Sequence, residues 1–246
     1  MNNKPEGIIQ ELKTFFDAEF CRDYFAIIYG SYAYGVNTSD SDLDFVAVKS
    51  NFDQKKIRTT LDFVFDLYRR HDLAFDDEVP HEKKLLANYQ TLDDAIGGGG
   101  FEKMDGRIYV PPVVKTKGFL HSNEMAMRLL LNAITSKNIF VSGDKSYYSK
   151  KRKQAIENMV RIMFSIDDVD SFTVQEFVQS LIGTPERHGE IYLGYKDKPA
   201  VRRYLTETFG KEFERLASRG ILRYNADNGR YTLGMYLGLQ NRGGLT

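Results

Sequence analysis

The stretch that most limits what this chain can fold into is residues 24–48, where two apolar runs bracket a glycine-serine pair and a pair of aspartates. Tyr24-Phe25-Ala26-Ile27-Ile28-Tyr29 is aromatic and branched, and it closes on Gly30-Ser31, which predicts a buried strand running into a tight turn. After the polar tract Asn37 to Ser41, the run Asp42-Leu43-Asp44-Phe45-Val46-Ala47-Val48 predicts a second strand. Alternate residues of a strand share a face, so Asp42 and Asp44 project together from backbone positions ~7 Å apart. Two carboxylates so placed repel each other unless a cation stands between them, and an oxygen-rich site completed by waters and substrate phosphates suits Mg²⁺ or Mn²⁺. The Gly30-Ser31 turn supplies the complement. Glycine lets the backbone approach a phosphate closely, and exposed N–H groups with a hydroxyl can hold its oxygens.

This order, a Gly-Ser turn, a short spacer, then Asp-x-Asp in an apolar strand, resembles the signature of the nucleotidyltransferase superfamily that includes DNA polymerase β and the antibiotic nucleotidyltransferases. The run SDSDLDFVAV is similar to the minimal bacterial members. The resemblance implies an α/β fold with a mixed sheet and flanking helices, an NTP as co-substrate, and Mg²⁺ or Mn²⁺ held by Asp42 and Asp44. It implies Gly30 and Ser31 on the β- and γ-phosphates. It also implies a third carboxylate on a neighbouring strand, for which Asp72 to Val79 is the available run. With Leu73, Phe75 and Val79 facing the core, Asp76 and Glu78 would face the side of Asp42 and Asp44. Asp76 is the preferred third catalytic and metal-binding group and Glu78 the second choice, with Asp77 left open. Related enzymes often contact the triphosphate with a basic residue from a helix after the catalytic sheet, which singles out Lys150 in the run Lys150 to Lys153.

Around this stretch, Ile8, Ile9, Leu12, Phe15, Phe16 and Phe20 recur at helical spacing, and so do Ile57, Leu61, Val64, Phe65 and Tyr68. Residues 81–96 predict a further helix, ended by Gly97 to Gly100, a tract read as a flexible hinge. Residues 101–118 read as a loop beside the site with one strand at Arg107 to Val110. Ser122 or Asn123 would cap a helix from Glu124 to Thr135, before a strand near Ile139 and a basic helix.

The last part changes character. Asp170 to Leu181, Pro199 to Phe209 and Lys211 to Ser218 predict three helices, and the Asn228-Gly229 pair favours a hairpin between Ile221 to Tyr224 and Arg230 to Leu233. Three helices and a hairpin resemble a winged-helix domain. The expected division is a nucleotidyltransferase domain at 1–145 and a mainly helical, winged-helix-like domain at 146–246.

Charge narrows the partners. Lys+Arg and Asp+Glu are equal at 34 each, so no global basic field advertises nucleic acid. Arg202, Arg203, Arg215, Arg219, Arg223 and Arg230 could meet phosphates, but Glu207, Glu212 and Glu214 share the expected helices, a poor composition for a DNA-reading helix. The single Cys21 cannot form an internal disulfide and reads as a small buried residue, and the four histidines lack metal spacing. With neither a leader-like apolar core after Met1 nor a membrane-length apolar run, a cytoplasmic setting is expected. The expected activity is transfer of a nucleoside monophosphate from an NTP to a hydroxyl of a small molecule or a protein. The alternative is a nucleotide-sensing regulator that binds DNA through the winged helix.

Overall fold

The computed structural model describes residues 5–74, 81–104, 107–109, 122–166, 170–182, 193 and 195–234. The chain divides into two compact units, one of Met1–Gly100 with Lys115–Ala155 and one of Phe101–Val114 with Ile156–Thr246. The expected boundary at 145/146 coincides with the start of the helix Lys145–Phe164.

In the first unit the chain enters through α1 (Pro5–Phe20), then β1 (Tyr24–Ile28), a short α2 (Gly30–Tyr34) and β2 (Phe45–Lys49). There follow α3 (Gln54–His71), α4 (His81–Leu85), β3 (Leu86–Asn88), α5 (Tyr89–Ile96), α6 (Asn123–Thr135), β6 (Ile139–Gly143) and α7 (Lys145–Phe164), whose first half belongs here. The sheet order is β3-β2-β1-β6, with β2 and β3 parallel and the other two pairs antiparallel.

Alternation sorts the two faces of this sheet. Tyr24, Ala26 and Ile28 of β1 with Leu43, Phe45 and Ala47 join Leu12, Phe16, Val64 and Leu67 of α1 and α3 in one buried cluster. Phe25, of opposite parity, meets Tyr147 and Tyr148 of α7 on the other face. The Tyr24 hydroxyl ties α1 to the sheet, donating to Asp17 at 2.7 Å and sharing a 2.9 Å bond with Ser142 of β6.

Several expectations change. Residues 81–96 are not one helix, because Leu86, Ala87 and Asn88 pair with Ala47, Val48 and Lys49 as a strand. Asn88 then starts α5 by accepting from the Thr91 N–H at 2.7 Å. The glycine tract is a packed turn rather than a loose hinge. A Cβ on Gly100 would lie 2.9 Å from the Glu124 carbonyl, and Arg128 Nε donates to the Gly100 carbonyl at 2.7 Å. Ser122, not Asn123, caps α6. Cys21 is exposed, on left-handed backbone at φ 55, where α1 gives way to β1. The strand expected from Asp72 begins with Asp72 as the C-cap of α3, and residues 75–80 lie outside the described residues. Within the expected loop at 101–118, β4 (Glu102–Met104) and β5 (Arg107–Tyr109) form an antiparallel pair.

In the second unit, β7 (Ser171–Phe172), α8 (Val174–Ile182), α9 (Pro199–Ser218), β8 (Leu222–Asn225) and β9 (Arg230–Leu233) follow the second half of α7, and the strands order as β7-β9-β8. Thr173 and Glu176 form a capping box, each side chain accepting from the other's N–H, so α8 starts after a strand and not at Asp170. The two helices expected across Gly210 are one. The continuous face Val201, Leu205, Phe209, Phe213 and Leu216 is buried, and its burial outweighs the ~1 kcal/mol that an interior glycine costs. Phe164, Phe172, Phe177, Phe209 and Phe213 close this core through ring contacts of 4.8 to 6.1 Å. The hairpin turns through Gly229 at φ 67, with the Asp227 N–H on Asn225 Oδ1 at 2.9 Å.

Glu157 is the polar anchor of this unit, accepting from Arg161 at 2.8 Å, Arg215 at 2.6 Å and Arg219 at 3.1 Å. Burial pushes its carboxyl up, but the three guanidinium groups outweigh it and bring the pKa from 4.5 down to about 2. A depressed folded-state pKa stabilises above the unfolded value and stops doing so as pH falls through the folded one. This contribution is therefore fully present above pH 4.5 and lost by about 2. Glu157→Gln is expected to cost about 2 kcal/mol at pH 7 and to flatten the acid limb of a urea-denaturation series. An unchanged acid limb would exclude Glu157 as its source.

Candidate active site

The candidate site is built where β1 ends and β2 begins. Strand pairing continues one residue past Ile28 and Phe45, since the Tyr29 N–H donates to the Asp44 carbonyl at 2.9 Å. The chain then leaves through α2, which Gly35 closes in the left-handed region at φ 72. A turn returns it, with the Thr38 N–H on Ser41 Oγ at 2.9 Å and the Ser41 N–H on the Thr38 carbonyl at 3.2 Å.

The aspartate segment itself is extended but precedes β2 proper, which starts at Phe45 and not at Asp42. It is fixed from three sides. Asp42 bridges Ala74 in parallel, the fully buried Leu43 has its carbonyl held by the Tyr68 hydroxyl of α3 at 2.6 Å, and Asp44 is held by Tyr29. With Leu43 and Phe45 sunk into the α1–α3 face, Asp42 and Asp44 share the parity of Val46, whose side chain lines a cavity on the other face.

Gly30 sits against Asp44. A Cβ at position 30 would stand 2.0 Å from Asp44 Oδ2, and Gly30 adopts φ +67, so the contact needs a glycine twice over. Ser31 Oγ is buried and finds no hydrogen-bond partner among the described residues. Such a group asks for a ligand atom. The structure thus places Gly30 against Asp44, with Ser31 one residue on and Asp42 two residues before Asp44.

A residue that the sequence did not single out completes the cluster. Lys84 of α4, with a side chain only 7% exposed, donates to Asp42 Oδ2 at 2.7 Å and lies 3.3 Å from Asp44 Oδ1. Burial works against its charge, but the Asp44 and Asp42 carboxylates outweigh burial and hold the ammonium well above the ordinary lysine range. Burial, reinforced by the Asp44 carboxylate, raises the Tyr29 phenol, so it stays neutral. A signal for Lys84 was present: it directly precedes the apolar run Leu85-Leu86-Ala87 that leads to the Asn88 cap.

Asp76, Asp77 and Glu78 lie outside the described residues. Lys150 is exposed on α7, while its neighbours serve packing: Lys151 pairs with Asp93, and Arg152 donates to the Ser136 carbonyl at 2.8 Å beyond the end of α6. Tyr32 is buried, and the Tyr34 hydroxyl accepts from the Lys137 N–H at 3.3 Å. Beside Lys84, a cavity of about 320 Å³ lies between the sheet and α6, lined by Tyr29, Val46, Leu86, Thr91, Asn123 and Met127 among others.

Residues 6–95 match the nucleotidyltransferase domain family. Over that stretch the chain carries a nucleotidyltransferase domain. The match runs from α1 to α5 and takes in Gly30, Ser31, Asp42, Asp44 and Lys84. Transfer of a nucleotidyl group from an NTP is the general activity that such a domain supports. No curated protein matches the chain. Among the described residues no helix is long and apolar enough to cross a membrane, and no group of three or more His, Cys, Asp or Glu could hold a metal ion. Two carboxylates with an orphaned serine hydroxyl beside them are nonetheless the hard oxygen donors that fit Mg²⁺, which keeps waters and substrate phosphates in the rest of its shell.

Proposed function

We propose that this domain moves a nucleoside monophosphate from an NTP to the hydroxyl of a small molecule or, as second choice, of a protein, releasing pyrophosphate. The observation that carries the reading is the contact of Gly30 with Asp44 at the mouth of a turn whose Ser31 hydroxyl is buried and unmatched. Asp42 and Asp44 would hold the divalent ion, and the Gly30-Ser31 turn would hold the β- and γ-phosphates. When bound, Mg²⁺ or Mn²⁺ supplies Lewis acidity for the attacking hydroxyl and charge neutralisation for the leaving pyrophosphate. The acceptor oxygen forms a bond to the α-phosphorus as the bond from that phosphorus to the β-phosphate oxygen breaks. The hydroxyl proton goes to a carboxylate, for which Asp76 is preferred over Glu78. Lys150, exposed on α7, is the proposed outer contact for the triphosphate.

A small acceptor is favoured by the scale of the neighbouring cavity, about 320 Å³, which lies at the lower end of small-ligand pockets. The second unit supports the alternative of a DNA-binding regulator only in its element order, a helix, a strand, two helices and a hairpin. Of its six arginines considered for phosphate contact, Arg202 binds Asp197 and Gln179, Arg215 and Arg219 bind Glu157, and Arg230 binds Glu176 and Ser171. Arg203 and Arg223 are the exposed pair that remains, a small charge for a duplex surface.

The test is incubation with each of the four NTPs and Mg²⁺ or Mn²⁺, with and without a panel of hydroxylated small molecules, read by pyrophosphate release and by the mass of the protein. Release with one base preferred is the expected result. Failure of all four NTPs to bind would overturn the reading, and salt-dependent binding of random duplex DNA with NTP bound but never cleaved would favour the regulator.

A further inference from the structure

We infer that Lys84 is a tethered counter-ion, occupying the place of positive charge between Asp42 and Asp44, so that a divalent cation is taken up only by exchange with its ammonium group. The inference rests on the reading that these two aspartates hold the ion, and it adds a built-in competitor to that site. Two carboxylates that share a face and are only 15% and 14% exposed repel each other, and the ammonium at 2.7 Å from one and 3.3 Å from the other relieves the repulsion. A magnesium ion needs carboxylate oxygens at about 2.0–2.1 Å in an octahedral shell. The lysine nitrogen stands in that same space, and two cations there would repel, so the two occupants exclude each other. Lysine suits this role better than arginine, because its charge is a point on a flexible stem with no fixed fork to hold it.

The displaced group has somewhere to go. Lys84 also lines the cavity between the sheet and α6, beside Tyr29, Thr91 and Asn123. An ammonium released into that space meets an anionic group of a bound molecule, and a phosphate is the chemistry it fits. Metal uptake and anion binding are thereby coupled, each favouring the other through the position of one side chain. The charge of the cluster is kept near balance in both arrangements, which a pair of carboxylates alone would not achieve.

The test measures Mn²⁺ binding directly, without nucleotide or turnover, from the free-ion electron paramagnetic resonance signal. Wild type, Lys84→Met, Lys84→Arg and Asp42→Asn/Asp44→Asn are compared. Lys84→Met is expected to bind Mn²⁺ at least about tenfold more tightly than wild type, while Lys84→Arg stays near wild type or weaker. Equal or weaker binding by Lys84→Met would overturn the counter-ion role. Undiminished binding by the aspartate variant would instead overturn the metal-site reading on which it rests. A second measurement needs no substitution: acylation of Lys84 in the wild-type chain, followed by mass spectrometry, is expected to quicken severalfold on saturation with Mg²⁺. An unchanged rate would mean that the ammonium does not move.

Discussion

Replacing Asp42 and Asp44 together by asparagine is expected to lower pyrophosphate release at least about 10³-fold, with little change in the affinity of the chain for the sugar and base of the nucleotide. Asparagine keeps the shape and one oxygen of each side chain but removes both negative charges, so hard-cation binding is lost while packing is kept. Removing one preorganised charge-stabilising group costs about 10² to 10³ in rate at sites of this kind, and here both go. The double change also takes both of these carboxylates away from Lys84, and breaking a buried ion pair from one side costs about 3–5 kcal/mol. Circular dichroism and a denaturation midpoint must therefore accompany the kinetics. The single Asp42→Asn variant is the cleaner probe, since Asp44 remains 3.3 Å from Lys84. A folded double variant that retained a tenth of wild-type turnover would remove these residues from the chemistry.

Much of this site could be read before any coordinates, for reasons visible in particular residues. The runs Tyr24 to Tyr29 and Phe45 to Val48 are apolar on both faces, because both strands are interior to the sheet, and such runs stand out in a sequence. The Gly30-Ser31 and Asp42-Leu43-Asp44 positions fall at the ends of those runs, so their convergence follows from antiparallel pairing. Lys84 was hidden by a different cause. Leu85, Leu86, Tyr89 and Leu92 fit a helical period, and what turns residues 86–88 into a strand is their pairing with β2, a contact that local pattern does not contain. The Asn88 cap was the available local clue.

Glycines misled in two directions. Gly210 invites a helix break that the buried face from Val201 to Leu216 overrides. Gly97 to Gly100 look like slack, yet a missing side chain serves close approach as well as flexibility, and at Gly100 it is the nearness of Glu124 and Arg128 that needs it. Sequence alone does not separate these uses.

At Gly30 they coincide, and Gly30→Ala carries the second large prediction. The added methyl carbon would lie 2.0 Å from Asp44 Oδ2 and 2.8 Å from Asp44 Cγ, far inside contact distance, and the residue would be held at φ +67, where a side chain is strained. The left-handed backbone costs about 1–2 kcal/mol for a residue with a Cβ. The clash cannot be relieved at the backbone, because Tyr29 and Asp44 are tied by their 2.9 Å hydrogen bond and Leu43 by Tyr68. The Asp44 carboxylate must therefore swing aside. That displacement moves a ligand of the metal and a partner of Lys84, and misplacing a reacting group by about 1 Å can cost 10²-fold in rate. Gly30→Ala is thus expected to lose at least about 10²-fold in turnover and about 2 kcal/mol in stability, and to weaken Mn²⁺ binding as well. Gly35→Ala supplies the control. It shares a positive φ, 72°, but a Cβ there meets nothing within 4 Å, so it should show the backbone cost without the loss of metal binding. If both variants lost metal binding equally, strain in α2 and not contact with Asp44 would explain the requirement for glycine at position 30.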